Sequence, residues 1–384
     1  MRHQIIKSAK FFQHLLFSRF HSVSSQIIDT GLLLSVCHLF GLYNPNQVAD
    51  ALTLPKAGLY RDLHSLSQYH WKCLNVRLGC TMALEWIKNT EAKSGSTQSR
   101  RCITISVDDS NIDHYGKTIA YCSNWWSKKR NNTTWGQNIL GITIKIGDIV
   151  IPLNTRLVSK KGRANTKKPV LFVAMMKDML DFFDAHSIDI RKYPITFDSW
   201  YGSKKLVNIL SDLGFVSILV HGKNNYVMTI NNKKMKLSLH KKSIQLQPEQ
   251  WGCDKPVCRV QATSPTFGEC IVLFFSDMGK IRTLLVFGKP LRTCEALRIW
   301  SQHNGIEHYW RQLKSNLHLS DMRLESAQGA CAGLGIKVMS YLMLLQVSIS
   351  ERRTFHQIQL ELTGQRHMLL EIMPHFHELN LKEP

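Results

Sequence analysis

The stretch CITISVDDS, residues 102–110, alternates apolar and polar side chains and then ends with two consecutive acids and a serine. A period of two is the pattern of a strand with one buried face, so the stretch predicts a β-strand that ends at Asp108. A second run, YPITFDSW at residues 193–200, predicts a short strand that ends in Asp198. The elements between these strands decide whether the two acids meet.

Those elements indicate a mixed α/β domain. Three β-like runs follow the first strand: KTIAYCS (117–123), ILGITIKI (139–146) and DIVIPLN (148–154). Residues 169–186 then carry apolar side chains at helical spacing, residues 203–213 predict a helix, and residues 215–221 predict an apolar strand. This order of elements predicts a ribonuclease H-like α/β domain, in which helices cover both faces of a sheet.

The chain carries a large excess of positive charge. Lys and Arg number 49 against 28 Asp and Glu, which gives a formal net charge of +21 and a pI near 9.6. Because the basic residues are spread along the chain, the folded surface is expected to be basic and to bind a polyanion, most often nucleic acid. The most apolar window, residues 26–43, is interrupted by Asp29 and His38 and predicts a core helix, with no membrane span.

Cysteine usage points to a reducing compartment. The ten cysteines include no CxxC pair, so the sequence predicts neither a zinc ribbon nor a disulfide framework. The first 28 residues contain no acid, as in an organelle transit peptide. Because the whole chain is basic, this feature does not single out a transit peptide, and the reduced, scattered thiols predict a cytoplasmic protein.

Changes in composition divide the chain into parts. The polar segment EAKSGSTQSRR (91–101) marks a boundary, and helical character returns at residue 291 after a series of short β-like pieces. The predicted parts are a helical N-terminal domain (1–95), the ribonuclease H-like domain (100–221 and 291–350), a β-rich insertion (222–290) and a C-terminal helical tail (351–384).

The N-terminal part contains a helix-turn-helix outline. Residues 47–52 and residues 57–66 predict two short helices on either side of a Leu-Pro turn. In a DNA-binding domain the second helix would present Tyr60 and Arg61 to a groove. The alternative is a helical hairpin that only packs in a bundle.

The acids at the two strand ends are candidates for a metal site. In a ribonuclease H-like sheet their strands are neighbours, so Asp108 and Asp198 are expected to converge although 90 positions separate them. Two Mg²⁺ ions about 3.5–4 Å apart promote in-line phosphoryl displacement, and Mg²⁺ prefers oxygen ligands. Asp109 is the alternative first acid, but strand alternation places it on the opposite side, which favours Asp108.

A third acid, Glu307, lies in the predicted helix of residues 304–318. Lys314 follows seven residues later, which is about two helical turns, and Arg311 lies between them. One helix face therefore offers a metal ligand together with phosphate contacts. The structural alternative is a capping box, in which Asn304 caps the helix and Glu307 closes the motif.

Zinc is a second alternative for this segment, because His303 and His308 flank the acid. Positions five apart on a helix point about 140° away from each other, so the two rings cannot bind one ion from one helix face. Oxygen-only ligands therefore predict Mg²⁺ or Mn²⁺.

Two basic segments are candidates for a DNA-binding track. Residues 156–168 carry six basic residues and no acid, and Lys160, Lys161 and Arg163 lie in their centre. Residues 231–242 carry five lysines. Clusters of this kind favour phosphate binding, although a solvated surface is the alternative for any single lysine.

Three motifs of the chain resemble those of the DDE transposases of bacterial insertion sequences. VDDS (107–110), TFDSWYGS (196–203) and NGIEHYWRQLKSNLHL (304–319) look like that family's three acidic motifs. The resemblance covers most of residues 100–345. The most similar group is the insertion-sequence-four-like one, in which a β-rich insertion precedes the Glu and the Glu motif reads Tyr-x2-Arg-x3-Glu-x6-Lys.

The resemblance implies a cut-and-paste enzyme with Asp108, Asp198 and Glu307 as catalytic metal ligands. Such an enzyme holds two Mg²⁺ or Mn²⁺ ions, binds the terminal inverted repeats of double-stranded DNA, nicks the DNA, and joins the freed 3′-hydroxyl to target DNA. A homodimer in the DNA complex and a place at the bacterial nucleoid are also implied. This chain departs from the motif, because Trp300 and His303 stand at the phosphate-binding Tyr and Arg positions.

Two other functions remain open from the residues alone. A ribonuclease H-like nuclease would cut DNA without joining it, and an inactive DNA-binding regulator would use the acids only structurally. The products formed from DNA in the presence of Mg²⁺ distinguish all three.

Overall fold

The computed structural model describes residues 1–17, 25–66, 68–93, 103–114, 116, 118–127, 130–160, 168–247, 253, 255–321 and 323–374. Within these residues, eleven strands form one mixed sheet that is accompanied by thirteen helices. The α/β class predicted from the sequence is therefore confirmed.

The strands of the sheet, in chain order, are β1 Ile103–Asp113, β2 Ser123–Ser127, β3 Asn132–Ile146, β4 Ile149–Val158, β5 Ile195–Phe197, β6 Ser217–His221, β7 Val227–Ile230, β8 Lys233–Lys236, β9 Val257–Ser264, β10 Gly268–Asp277 and β11 Lys280–Gly288. Their spatial order is β2-β3-β1-β5-β6-β11-β10-β9-β7-β8, and β4 also pairs with β3. β1, β5 and β6 are parallel neighbours, and the other pairs are antiparallel.

The helices, in chain order, are α1 Arg2–Phe17, α2 Ser25–Leu39, α3 Pro45–Leu52, α4 Lys56–Ser65, α5 Gln68–Lys93, α6 Lys168–Ala185, α7 Lys204–Asp212, α8 Leu237–Ser243, α9 Thr293–Gln302, α10 Asn304–Arg311, α11 Ala327–Glu351, α12 Phe355–Gly364 and α13 His367–Ile372. A π-helical turn, Gln312–Asn316, continues α10. A 3₁₀ turn, Ser199–Tyr201, follows β5.

The parallel strands form the centre of the sheet because they are apolar on both faces. All three residues of β5 are buried, and so are Ile218, Leu219 and Val220 of β6. Strands that are covered on both faces read as continuous apolar runs of this kind. The pairing of β1 with β5 ends at Val107 and Phe197, directly before the two predicted acids. The first strand does not end at Asp108 as predicted, because β1 continues beside β3 to Asp113.

Residues 222–290 extend this sheet with five more strands. The last of them, β11, pairs antiparallel with β6, so that Leu285 lies opposite Val220. The β-like character predicted for this segment is present, except that residues 237–239 begin helix α8. Leu237 and His240 are buried three positions apart, which is a helical spacing, and the His240 ring bonds the Met228 carbonyl.

The predicted strand at residues 117–123 is wrong. The described residues of this segment form a turn, in which Tyr121 has a φ of 63°, and the strand begins only at Ser123. Side chains of β3 hold the turn in place, since Trp135 Nε1 donates to the Gly116 carbonyl and Gln137 Nε2 donates to the Ala120 carbonyl. These bonds replace a strand ladder, while Ile119 is buried as a strand residue would be.

Helix α11 is the centre of the helical part of the molecule. Helices α1, α2, α4 and α5 all pack against it. Specific contacts join Ser8 Oγ to Gln346 Oε1 at 2.5 Å and His38 Nδ1 to Ser340 Oγ at 3.1 Å. Gly335 leaves room for the Trp71 ring, because a Cβ there would lie 2.6 Å from the indole. The N-terminal helices therefore share one core with a helix from near the C-terminus.

Among the described residues, α11 is the one helix long and apolar enough to cross a membrane, yet 89% of its most apolar window is buried inside the molecule. Burial of this extent is expected of the core helix of a soluble protein.

Candidate active site

Two acids lie side by side at the carboxyl edge of the parallel strands. The β1–β5 register aligns Ser106 with Thr196 and ends at Val107 with Phe197, so the next residues on each strand are Asp108 and Asp198. Ser106 Oγ and Thr196 Oγ1 are 3.0 Å apart and therefore point to one face. Two residues further along each extended segment, Asp108 and Asp198 point to that same face.

Helix α10 covers this face of the sheet. Asp108 lies opposite Gly141 in the β1–β3 pair, so residues 108 and 141 point to the same side. That side of Gly141 is occupied by Trp310 of α10, because a Cβ on the glycine would lie 2.7 Å from the indole ring. Asp109 is paired with Leu140 and points to the opposite face. Strand alternation therefore points Asp108 to the side of the sheet that carries Glu307 and points Asp109 to the other side.

Glu307 lies on α10 between two anchors. At the start of the helix, buried His303 bonds Thr196 Oγ1 of β5 through Nδ1 at 2.9 Å. At its end, Trp310 lies over Gly141 of β3. The helix thus crosses β1 between these points. Glu307 is one turn beyond His303, and its side chain is exposed.

The capping-box interpretation of Glu307 is wrong. The N-cap position of α10 is His303, and Asn304 is already the first helical residue, with no side-chain hydrogen bond at the cap. Glu307 accordingly has no capping partner to close the motif. The two histidines of the zinc alternative also separate, since His303 is buried and His308 is exposed.

A stack of three aromatic rings lies next to Asp198. The Trp300 indole stacks on the His221 ring at 5.8 Å and on the His303 ring at 4.9 Å, with interplanar angles of 13° and 8°. His221 Nδ1 lies 3.8 Å from Asp198 Oδ1. The stack therefore joins the end of β6 to the junction of α9 and α10. In this arrangement Trp300 is engaged by two rings, and the buried His303 cannot reach a phosphate without leaving the core.

Burial in this cluster keeps the His303 ring neutral. It lowers the pKa of His303 to about 4, with the Asp198 carboxylate opposing the shift and His221 adding to it. A depressed pKa means that the unfolded chain takes up the proton first as the pH falls. The stability contributed by the neutral ring is thus present above pH 6.5 and is lost between pH 6.5 and about 4.

We expect acid to destabilise the metal-free protein through His303. Between pH 6.5 and 5 the loss amounts to about 2 kcal/mol, at about 1.4 kcal/mol per pH unit. Urea unfolding in EDTA at pH 7 and pH 5 measures it, with His303→Gln as the comparison, because glutamine cannot titrate but can still bond Thr196. Equal losses in both proteins would contradict the assignment.

Lys314 lies in the π-helical turn that follows Glu307. The surrounding protein partly desolvates Lys314 and lowers its pKa, although the side chain is exposed at the surface. The carboxylates of Asp113, Asp108 and Asp109 oppose that shift, so the ammonium group lies near these acids of β1. π-Helical turns are frequent at functional sites. Arg311, which precedes the turn, is exposed.

The predicted DNA contacts are distributed over separate surfaces. Lys160 Nζ donates to the Asn124 carbonyl at 2.6 Å and lies 4.0 Å from the centre of the Trp125 ring. Lys161 and Arg163 lie outside the described residues, so their placement stays a prediction.

The predicted helices of the helix-turn-helix outline are present as α3 and α4. Tyr60 of α4 donates to Asn46 Oδ1 of α3 at 3.2 Å, so its hydroxyl braces the hairpin. Arg61 is exposed, with Nε 3.9 Å from Asp62 Oδ1. On the inner side, Asp62 accepts from Thr30 Oγ1 at 2.7 Å. Arg61 therefore remains available to a ligand, and Tyr60 is committed to packing.

A metal would find hard oxygen donors at the edge of the sheet. Asp108 and Asp198 offer carboxylates in neighbouring register, and Glu307 offers a third, which is a donor set that suits Mg²⁺ or Mn²⁺. Across the described part of the chain, no three His, Cys, Asp or Glu side chains are grouped closely enough to hold one ion together. Two of the acids thus form the fixed part of the candidate site, and Glu307 would have to turn toward them.

The sequence did not indicate the roles of several residues at this edge. His221 becomes a neighbour of Asp198 only through the fold, and the bonds of Thr196 to His303 and of Tyr201 to Asp109 join residues that are distant in sequence. Tyr201 stands three positions after Asp198, a spacing that sequence reasoning did not use.

No protein-family model matches this chain, and no curated protein matches it significantly. The functional interpretation therefore rests on the geometry of the acids, the charge of the chain and the resemblance of its motifs.

Proposed function

We propose that the protein is a DDE transposase, which binds the inverted-repeat ends of its element and catalyses metal-dependent DNA cleavage and strand transfer. The observation that carries the proposal is the register of β1 and β5, which brings Asp108 and Asp198 together under the helix that bears Glu307. The order of the central strands supports a ribonuclease H-like domain with residues 222–290 as an insertion, because β1 and β5 are neighbours as that fold requires.

Asp108, Asp198 and Glu307 are the residues that would hold two Mg²⁺ or Mn²⁺ ions. Such ions, when bound, activate an attacking water or hydroxyl and stabilise the departing oxygen of a phosphodiester. The fixed pair of acids supports this role, because their side chains share one face and are only partly buried. The exposed Glu307 carboxylate completes the set from the helix above them.

The basic residues of the same edge would hold the DNA. Lys314 lies near the acids of β1, where its ammonium group suits a phosphate next to the cleaved bond. Arg311 is exposed on the same helix as Glu307. Lys160, beside Trp125 of β2, and Arg61 of α4 offer contacts on other surfaces. A net charge of +21 supports a long DNA contact. A homodimer in the DNA complex and a place at the nucleoid of the bacterial cytoplasm belong to the same proposal.

The test is an incubation of the purified protein with a supercoiled plasmid that carries the DNA flanking its gene. With Mg²⁺ or Mn²⁺ we expect cleavage at the element ends and joined products in a second plasmid. Ca²⁺ is expected to support DNA binding without cleavage, because its looser coordination does not hold the in-line geometry, and Zn²⁺ is expected not to support cleavage or joining at an oxygen-only site.

The other two functions give different products in this assay. Cut ends without joined DNA identify a nuclease, and intact DNA bound at the ends identifies a regulator. Cleavage with Zn²⁺ but not with Mg²⁺ would refute the carboxylate site.

A further inference from the structure

Asp109, the acid on the reverse face of the sheet, is held by three donors. Its Oδ1 accepts from the Tyr201 hydroxyl at 2.9 Å. Its Oδ2 accepts from Lys168 Nζ at 2.7 Å and from Asn138 Nδ2 at 2.6 Å. These donors come from the turn after β5, the first residue of α6 and strand β3. One carboxylate thus joins three elements to β1.

These contacts are largely shielded from water. Tyr201 is 2% exposed, and Asn138 is fully buried. The side chain of Lys168 is 12% exposed and that of Asp109 19%. Buried polar groups are costly to leave without partners, so the network has one preferred arrangement. Burial and the neighbouring carboxylates raise the pKa of Tyr201, which keeps its hydroxyl protonated as a donor.

The Tyr201–Asp109 bond is placed where the backbone ladder has ended. The β1–β5 register stops at Val107 and Phe197, one residue before each acid of the candidate site. Asp109 is the next residue after Asp108. Tyr201 is bound to Asp198 through the 3₁₀ turn, in which the Tyr201 amide donates to the Asp198 carbonyl at 3.1 Å.

The turn is also held from its other side. The Tyr226 hydroxyl lies 3.0 Å from the Ser199 carbonyl oxygen and 2.9 Å from that of Gly202. Gly202 permits this approach, because a Cβ there would lie 2.5 Å from the hydroxyl. The segment that carries Asp198 is thus braced against β1 by Tyr201 and against the start of the 222–290 segment by Tyr226.

We propose that Asp109 and Tyr201 are positioning residues, which hold Asp108 and Asp198 at the separation that a shared divalent cation needs. This inference rests on the proposed function, since it gives the two acids their role as metal ligands. It assigns the second acid of the VDDS motif a separate task on the opposite face. The Tyr201–Asp109 hydrogen bond acts through the backbone segments that carry Asp198 and Asp108, and it makes no contact to DNA or metal itself.

The test compares Tyr201→Phe with Tyr193→Phe. Both changes remove one hydroxyl that donates to a carboxylate, because Tyr193 donates to Glu91 at 2.6 Å, before the amino end of β5. Mn²⁺ affinity, measured by electron paramagnetic resonance on the DNA-free protein, is expected to fall about 10-fold in Tyr201→Phe, as for other groups that orient metal ligands. Tyr193→Phe is expected to bind Mn²⁺ as the wild type does.

A second readout separates positioning from loss of stability. The Mg²⁺ concentration that gives half-maximal cleavage is expected to rise about 10-fold in Tyr201→Phe, with maximal cleavage largely recovered at high Mg²⁺. A variant that is only destabilised would lose maximal cleavage rate, while the Mg²⁺ concentration for half-maximal cleavage would stay unchanged. If Tyr201→Phe melts well below Tyr193→Phe, Asp109→Asn takes its place in both measurements, because asparagine keeps the size of the side chain.

The outcomes distinguish this inference from the proposed function. If Mn²⁺ binds tightly to the wild type and weakly to Tyr201→Phe, but the wild type never cuts DNA, the positioning role stands and the transposase proposal fails. If the wild type cuts DNA and Tyr201→Phe matches Tyr193→Phe in both readouts, the positioning role is overturned.

Discussion

Alanine at Asp108, Asp198 or Glu307 is expected to lower DNA cleavage by at least about 10³-fold. Each change removes one oxygen ligand from a site that supplies several kcal/mol of transition-state stabilisation, and about 4 kcal/mol corresponds to that factor. Binding to the element ends is expected to change little, because these acids hold metal and not phosphate. Cleavage of end-containing DNA and a binding assay in Ca²⁺ measure the two effects.

The control for these variants is Asp113→Ala. Asp113 ends the same strand as Asp108 and is exposed, and its carboxylate pairs with Arg130 at 2.8 Å. We expect this variant to cut DNA at a rate close to that of the wild type. Normal cleavage by Asp198→Ala would refute the site. Normal cleavage by Asp108→Ala, together with loss in Asp109→Ala, would instead move the first ligand to the reverse face.

DNA affinity is expected to fall about 10³- to 10⁵-fold between 50 and 200 mM salt, if 6–10 phosphates are contacted. Each contact releases condensed counterions and adds about −0.9 to the slope of log affinity against log salt. Replacing Lys160, Lys161 and Arg163 with alanine should therefore flatten the slope by up to about 3. Binding isotherms at several salt concentrations measure it.

A matched variant removes three exposed lysines that lie away from the carboxyl edge of the sheet. The three residues are Lys88, Lys177 and Lys192. Lys192 pairs with Glu91 of α5, on which Lys88 also lies, and Lys177 is about 13 Å along α6 from its first residue. We expect this variant to keep the wild-type slope. An equal flattening in both variants would show a diffuse charge effect and not a DNA track.

The sequence predicted the strands that hold the first two acids because their signals are local. Alternation located Asp108 in the first strand, but the strand end predicted there is wrong, because the pairing of β1 with β3 continues to Asp113. The end of β5 at Phe197, directly before Asp198, was located from its own residues. The helices of residues 47–52, 57–66 and 169–186 were located in the same way, to within a few residues of α3, α4 and α6.

The failures arose where side chains of other elements decide the backbone. Residues 117–123 read as a strand, but Trp135 and Gln137 of β3 hold the segment as a turn. Asn304 and Glu307 read as a capping box, but the close succession of α9 and α10 places His303 at the cap instead. Neither the turn nor the position of the helix cap can be predicted from a local pattern, because each depends on residues that other elements contribute.

The departure from the family motif has a physical explanation of the same kind. Trp300 and His303 stand where a Tyr and an Arg are expected, and here they form a stack with His221 next to Asp198. A single sequence cannot show that stack, since His221 lies at the end of another strand. Its rings would position the helix that carries Glu307 and leave the phosphate contacts to Lys314 and Arg311.

The place of α11 at the centre of the N-terminal helices affects the order in which the chain can fold as it is synthesised. Helix α5 ends at residue 93, while α11 begins at residue 327. At about 5–20 residues per second the ribosome needs roughly 10 to 50 s to make the intervening chain. During that interval the apolar sides of α1, α2, α4 and α5 lack their central partner. A message cut short before residue 327 is therefore expected to yield α1, α2 and α4 without their central partner, while α5 can still pack on β4. Such a fragment is expected not to accumulate in cells.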